Sequence, residues 1–302
     1  MSNSAAVLAN ELLRSVERAA PANVALMHLL LRASHSRDAG QAIDLALRSA
    51  AQGGRPAIER LQEVAKLWLQ NPQAWETVRA IGTCHGSRHH SAGHALDYWS
   101  AAYDEAARTS PEASVALYSL ANPELLNAAT YEVVSYLERL GVLGPQRKLL
   151  ELGCGIGRLI EALAPLVGSA VGIDISHAMV QHAEQRCRRF GHVEIAKGPA
   201  HDLTAFADES FDIVLAADVF PYIWEAGPEI VNMTLTETAR VLAPGGAVVV
   251  LNFSYGSEPD ADRAGLIRLA EANGLNVVQY GDRPFKLWDG MAFVLEKIAN
   301  AT

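Results

Sequence analysis

Three features of the sequence predict an α/β fold: a doubly wound, mostly parallel sheet with an all-helical extension before it. The first is the run Leu149-Leu150-Glu151-Leu152-Gly153-Cys154-Gly155-Ile156-Gly157-Arg158-Leu159, an apolar strand, a glycine turn and a helix start. The second is the alternation, from Pro145 onward, of short apolar runs with helical stretches, the pattern of strands covered on both faces. The third is the opposite character of residues 1–110, rich in Ala, Leu, Arg and Gln, with apolar positions at helical spacing as in Leu12, Leu13, Val16 and Ala19. The chain therefore divides into a helical region over 1–110, serving as a lid, a substrate domain or an oligomerisation domain, and a sheet-containing region over 111–302.

Along the helical part, Pro21, Pro56, Pro72 and Pro111 lie near helix starts, while Gly40 and Gly53-Gly54 are expected to break the pattern between helices. The amphipathic stretch Ile58 to Leu69 packs its apolar face inside the chain or against a second copy of it, and internal packing is the commoner outcome. A helix is expected from Pro123 to Leu140. Strands are expected at 147–152, 169–174, 192–197, 211–217, 246–253, 275–280 and 291–297, with a helix from about His177 to Phe190 after the second. Ligands bind beyond the carboxyl ends of strands in such sheets, so the loops after Leu152, Ile173, Lys197, Asp218 and Phe253 converge on one cleft.

The glycine turn lets the backbone approach a ligand closely and aims free N–H groups at it. Its spacing excludes two familiar ligands. A dinucleotide fingerprint needs G-x-G-x-x-G, whereas the glycines fall at 153, 155 and 157, and no Gly-Lys-Ser/Thr follows as a phosphate-binding loop requires. Asp174 ends the second strand about twenty residues after the first glycine, where this architecture holds a ribose diol. Asp174 or Ser176 also suits the cap of the following helix.

The formal net charge of −9 argues against a nucleic-acid partner, whose phosphates demand cations. No apolar run has the length of a membrane span, and the first twenty residues lack a basic start followed by an apolar signal core, so a cytoplasmic location and no membrane partner are expected. Three cysteines, Cys84, Cys154 and Cys187, lack paired spacing for disulfides, and Cys154 reads as packing within the turn.

From Asn122 to Ile298 the chain resembles the class I S-adenosylmethionine-dependent methyltransferases of small-molecule type. The family's motifs occur in order: Glu151 to Gly157, Gly172-Ile-Asp174, Gly198 to Leu203, Phe211 to Asp218, and Arg240 to Val250. The resemblance implies a Rossmann-like sheet of seven strands, the last antiparallel and inserted between the fifth and sixth, with S-adenosylmethionine as cofactor. It implies that Glu151, Gly153, Gly155 and Gly157 carry the methionine part and Asp174, with Ile175 beside it, the ribose. The segment after strand three would hold adenine. There the family's Gly-Asp-Ala is replaced by Gly198-Pro199-Ala200, which leaves adenine to Ala200, His201, Asp202 or local backbone amides. Asp218 would face both cofactor and acceptor, and Tyr118 would close the methyl-donor site, unless it is ordinary helix packing.

Methyl transfer from a sulfonium is an in-line displacement that needs alignment above all, with a base where the acceptor must lose a proton. Asp218 and Tyr222 are candidates for orienting or deprotonating the acceptor. Phe220 and Trp224 either wall the pocket or belong to the core; Asn252 and Tyr255 follow strand five, where Asn252 equally suits a turn. Arg283 and Trp288 are further acceptor candidates, although a solvated loop charge is the commoner role for Arg283. Four histidines crowd Cys84 to His94, with His85/His89 and His90/His94 four apart, but no carboxylate or cysteine pattern completes a metal site and none is expected. The segment, with Asp97, Tyr98, Trp99 and Tyr103 after it, borders the acceptor pocket with His89 or His94 as base, or is a plain polar turn. The leading function is a methyltransferase acting on a small metabolite; a lyase that cyclises the cofactor, and a non-catalytic cofactor-binding module, are the alternatives. The partner expected is a small-molecule acceptor, with a homodimer as a further option.

Overall fold

A computed structural model describes residues 3–51, 55–84, 95–255 and 259–297. Two compact units interleave along the chain: the first draws on Met1–Ser87, Ala106–Glu132 and Phe285–Asp289, the second on Arg88–Glu105, Val133–Pro284 and Gly290–Thr302. The division expected near residue 110 falls inside the Ala106–Glu132 segment of the first unit.

The first unit is helical. It holds α1 (Asn3–Glu17), α2 (Ala22–Arg32), α3 (Ser36–Ala50), α4 (Arg55–Gln70), α5 (Ala74–Cys84), the last residues of α6 (Ala95–Thr109), α7 (Pro111–Val115) and the first half of α8 (Pro123–Leu140). Prolines sit at the starts as expected: Pro21 occupies the N-cap position of α2, and Pro111 begins α7 behind Ser110, whose hydroxyl accepts the Ala113 N–H. Asn122 caps α8 by accepting the N–H groups of Glu124 at 2.9 Å and Leu125 at 3.1 Å. Leu61 and Val64 of α4 are buried against α1, α2 and α3, so the amphipathic face packs internally. Gly40 does not break a helix: it lies within α3, beside the Trp68 indole. Gly53 and Gly54 lie outside the described residues.

A short returning segment, Phe285 to Asp289, is pinned into this unit. The buried Asn23 amide donates to the carbonyls of Tyr118 at 3.0 Å and Leu287 at 2.7 Å, while Glu132 accepts the N–H groups of Lys286 and Leu287, each at 3.0 Å. Trp288 stacks between Tyr118 and Phe285, with ring centroids 5.9 and 5.4 Å away.

The second unit is built on a seven-stranded sheet: β1 (Gly144–Leu152), β2 (Val167–Asp174), β3 (Val193–Lys197), β4 (Phe211–Ala217), β5 (Leu242–Leu251), β6 (Leu275–Asp282) and β7 (Ala292–Lys297). The spatial order is β3-β2-β1-β4-β5-β7-β6, parallel throughout except for β7, which runs antiparallel between β5 and β6. Its helices are α9 (Arg158–Leu163), α10 (His177–Cys187), α11 (Phe220–Glu225), α12 (Pro228–Val241) and α13 (Pro259–Ala272). Near-continuous apolar runs such as Ile213-Val-Leu-Ala216 and Ala247 to Leu251 are buried, as strands covered on both faces require. The core gathers Leu150, Val214, Val248, Phe220, Phe253 and Phe293, each essentially without exposed surface. Burying one such phenylalanine contributes about 2–3 kcal/mol.

Candidate active site

The strand order reverses between β1 and β4: the chain builds β2 and β3 on one side of β1 and the rest on the other. Loops leaving two such strands diverge and open a crevice at their carboxyl ends. The glycine turn sits there, between β1 and α9. Gly153, Gly155 and Gly157 all adopt the left-handed region, at φ +66, +54 and +74°. Two of them are also demanded by neighbours: a Cβ on Gly153 would lie 2.5 Å from Val219 Cγ2, and one on Gly157 would lie 2.9 Å from Ala183 Cβ. Cys154 fills space beside Gly172 and is buried, so its role is packing.

The turn is fastened to β2 through Asp174. Its Oδ2 accepts the Gly155 N–H at 2.8 Å and its Oδ1 accepts the Ser176 N–H at 2.9 Å. Burial raises the Asp174 carboxyl to about 6; backbone hydrogen bonds from Ser176, Gly155 and Ile175 oppose the rise and Asp104 adds to it. Capping falls to Ser176, whose hydroxyl accepts the Met179 N–H at 3.1 Å. Glu151, one residue from the end of β1, is buried more deeply, which pushes it up to about 8 despite the Arg158 charge. Its Oε2 has no hydrogen-bond partner.

After β3, the Gly198 N–H donates to the Asp174 carbonyl at 3.0 Å. Ala200 is buried in the core beneath, and His201 is partly exposed. Asp202 is exposed and closes a local turn by accepting the Thr204 N–H and hydroxyl, at 3.2 and 2.6 Å.

The other side of the crevice is built by two left-handed non-glycine residues. Asp218, after β4, has φ +59°, and Asn252, after β5, has φ +67°. Such a conformation costs about 1–3 kcal/mol per residue and persists where the surroundings over-determine it. Here the Asp218 N–H donates to Leu251 at 2.8 Å, the Asn252 N–H donates to Met291 at 2.6 Å, and the Asn252 side-chain amide donates to Asp218 Oδ1 at 2.7 Å.

Beside Asp218 lies an aromatic cluster. The Tyr222 and Tyr255 hydroxyls are 3.3 Å apart, and the Tyr222 ring meets Tyr103 and Trp99 edge to face at 5.3 and 4.7 Å between centroids. Tyr103 and Tyr222 also share a hydrogen bond. Burial holds both phenols well above their ordinary range, with the Asp218 charge acting in the same direction. Phe220 is a core residue packed on Phe253, and Trp224 turns outward with its ring on Phe253, so neither joins this cluster. Trp99 and Tyr103 come from α6, which is held on the β2 side as well. Ser100 donates to the Ile175 carbonyl at 3.0 Å, and Asp104 accepts the Ser176 hydroxyl at 2.6 Å and the Ala178 N–H at 2.9 Å. The Asp104 contacts and the Asp218–Asn252 pair had no motif behind them; the four-residue spacing of Trp99 and Tyr103, which places both on one helix face, was the available signal.

Tyr118 and Trp288 are buried in the first unit, stacked on one another, and Arg283 is exposed after β6. His89 and His94 lie outside the described residues. Among the described residues no group of three or more His, Cys, Asp or Glu side chains could hold a metal, and no helix is long and apolar enough to cross a membrane.

Comparison with known proteins gives the geometry a family. A family model described as a methyltransferase domain matches residues 150–250. Over 118 residues the chain is 35% identical to a demethylmenaquinone methyltransferase of Tropheryma whipplei, covering 38% of this chain and 45% of that protein. Over 103 residues it is 32% identical to a ubiquinone biosynthesis O-methyltransferase of Methylococcus capsulatus, covering 34% of this chain and 41% of that protein. The chain thus spans less than half the length of these curated relatives. A solved phosphoethanolamine N-methyltransferase of Haemonchus contortus, in complex with phosphoethanolamine and S-adenosylhomocysteine, shares the fold at 16% identity and TM-score 0.58, over 71% of this chain and 51% of that one.

The donor set fits S-adenosylmethionine. Asp174 and Asp218 stand at the ends of the two strands that flank β1, and Glu151 carries an orphaned buried oxygen beside the turn. As carboxylates, Asp174 and Asp218 suit a ligand with hydroxyl donors and positive charge and would repel a pyrophosphate. Residues 150–250 are thus a methyltransferase domain, similar over this stretch to S-adenosylmethionine-dependent methyltransferases.

Proposed function

We propose that this protein transfers the methyl group of S-adenosylmethionine to a small-molecule acceptor. The observation that carries the reading is Asp174, a buried carboxylate fixed by the Gly155 and Ser176 amides at the point where the strand order reverses. In that position it accepts from ribose hydroxyls. The glycine turn and Glu151 hold the methionine part, Ile175 and Ala200 border the adenine, and His201 and Asp202 offer it polar contacts.

Bound S-adenosylmethionine supplies an electrophilic methyl group on a sulfonium. The chain's contribution is alignment, which is worth several kcal/mol when the reacting atoms are held in line. Asp218, locked by Asn252 in a single orientation, positions the acceptor from the β4 side. The Tyr103 and Tyr222 hydroxyls stay protonated through the ordinary pH range, so they donate hydrogen bonds and are not bases. The names of the curated relatives, which place them in quinone biosynthesis, support an acceptor of metabolite size. So does the net charge of −9, which disfavours nucleic acid.

The test uses S-adenosylmethionine with a deuterated methyl group, with and without a metabolite extract. Labelled metabolite and S-adenosylhomocysteine formed only with extract are expected. Methylthioadenosine released without extract would replace this reading with a cofactor-cyclising lyase, and binding without turnover would leave a non-catalytic module.

A further inference from the structure

We infer that Asp104, with Ser100 one turn before it on α6, is a positioning residue of the cofactor site, and that α6 is the strut joining the β2 side of the crevice to the β4 side. The inference rests on the reading that Asp174 accepts the cofactor ribose. It goes beyond that reading by giving a role to a helix outside the methyltransferase-domain match at residues 150–250.

Geometry comes first. The polar contacts of α6 fall on the residues immediately after Asp174: Ser100 donates to the Ile175 carbonyl at 3.0 Å, and one oxygen of Asp104 accepts both the Ser176 hydroxyl at 2.6 Å and the Ala178 N–H at 2.9 Å. Trp99 and Tyr103 form the neighbouring stripe of the same helix, and both rings meet Tyr222, at 4.7 and 5.3 Å between centroids. An apolar cluster joins the two stripes, in which Ala95, Trp99 and Ala102 of α6 pack with Ile175 from the end of β2 and with Tyr222 and Ala226 from the α11 segment. All of these residues belong to the second unit.

Asp104 acts on Asp174 through Ser176. The Ser176 N–H fixes Asp174 Oδ1 at 2.9 Å, and the aim of that N–H depends on where the strand end is held. Ser176 and Asp104 also take up two of the donors that the start of α10 leaves unpaired, the N–H groups of Met179 and Ala178. The positive end of the helix favours the Asp104 carboxylate there, and hydrogen bonds to a carboxylate are the stronger kind. Loss of Asp104 therefore loosens the segment that aims the ribose acceptor without removing an atom that the reading places on the cofactor. Because one helix carries Ser100 and Asp104 on one stripe and Trp99 and Tyr103 on the next, a ligand that fixes residues 174–178 also fixes α6, and with it the Tyr222 ring.

The experiment uses the full chain and S-adenosylmethionine, with affinity read by calorimetry well below each variant's Tm. Asp104→Ala is expected to weaken binding about tenfold. Asp104→Asn, which removes the charge acting on Asp174 but keeps an acceptor oxygen, is expected to recover most of the loss. Ser176→Ala is expected to cost a factor like that of Asp104→Ala, and the double variant less than the product of the two, because the pair shares one hydrogen bond. Ser100→Ala, the mildest change, is expected to cost about threefold. If Asp104→Ala lowers Tm with affinity unchanged, if Asn is as weak as Ala, or if the two single effects multiply, Asp104 serves the fold alone and the positioning role fails while cofactor binding stands. No binding by the parent chain would overturn the cofactor reading and this inference together. Hydrogen–deuterium exchange at saturating cofactor tests the strut. In the parent, peptides 95–105 and 220–226 are expected to gain protection together; in Asp104→Ala, 220–226 is expected to lose that gain while 151–157 keeps it. Equal protection of 220–226 in both chains, or none in the parent, would overturn the link between the two sides.

Discussion

The two halves of the crevice are made differently. On the β2 side the fastening is backbone to side chain: amides of Gly155 and Ser176 on one carboxylate, with glycines elsewhere in the turn. On the β4 side the backbone bonds of Asp218 and Asn252 to Leu251 and Met291 are joined by side-chain to side-chain contacts, with Asn252 on Asp218 and tyrosines on each other. The first arrangement suits a ligand that never changes, because the chain path itself makes the site. The second can be rebuilt by exchanging a few aromatic residues, which suits an acceptor that differs from one enzyme to the next.

The largest effect should come from breaking the backbone half at its centre. Asp174→Ala removes the carboxylate proposed to accept the ribose hydroxyls, hydrogen bonds to a charged group worth about 1.5–3 kcal/mol each, so affinity for S-adenosylmethionine by calorimetry should fall about 100-fold or more. Gly153→Ala should come next. It combines a left-handed φ with a Cβ inside contact distance of Val219, a destabilisation of about 2–4 kcal/mol. Val219→Ala in the same chain should restore part of the lost thermal stability, since it removes the nearest atom, Cγ2, and leaves the Cβ contact at 2.8 Å and the backbone strain.

A pH series sharpens the comparison, because buried carboxyls with raised values, Glu151 and Asp174, lie in the backbone half. Glu151 stands at about 8 in the folded chain against an ordinary 4.5. Between those values the folded protein holds a proton that the unfolded chain has released, so the stability associated with Glu151 is full below about 4.5 and lost as pH rises through about 8. Glu151→Gln removes this dependence. Its Tm should differ little from the parent at pH 5 and exceed it by roughly 5 °C at pH 9, as read by calorimetry across the series. An equal difference at both values would contradict the buried, neutral Glu151.

Smaller effects belong to the side-chain half. Asn252→Gly keeps the left-handed backbone and deletes only the hydrogen bond to Asp218, so kcat/KM should drop about tenfold with cofactor affinity intact. Tyr255→Phe, at a half-exposed position, should cost about two- to threefold in KM.

The same contrast explains what could be read from the sequence. The glycine turn and the strand-end place of Asp174 were legible because each is carried by a short contiguous motif whose backbone conformation dictates its residues, whereas the antiparallel β7 between β5 and β6 followed only from the family resemblance that those motifs carry. Gly40 misled because a glycine inside a helix looks the same in sequence as one that ends it. Phe220 and Trp224 were ambiguous because aromatic spacing does not say which side of a short helix faces the core. The Asp104 link to Ser176 and Ala178, and the pairing of Asn252 with Asp218, join residues 72, 74 and 34 positions apart, and no local rule brings such partners together.

The most direct test of the central claim is hydrogen–deuterium exchange of the full chain with and without S-adenosylmethionine, followed by peptide. The amides of residues 151–157 and 174–178 should gain protection on cofactor addition, together with 216–219 at the end of β4. Unchanged exchange in these three segments, with protection appearing elsewhere, would contradict the site described for the glycine turn and Asp174.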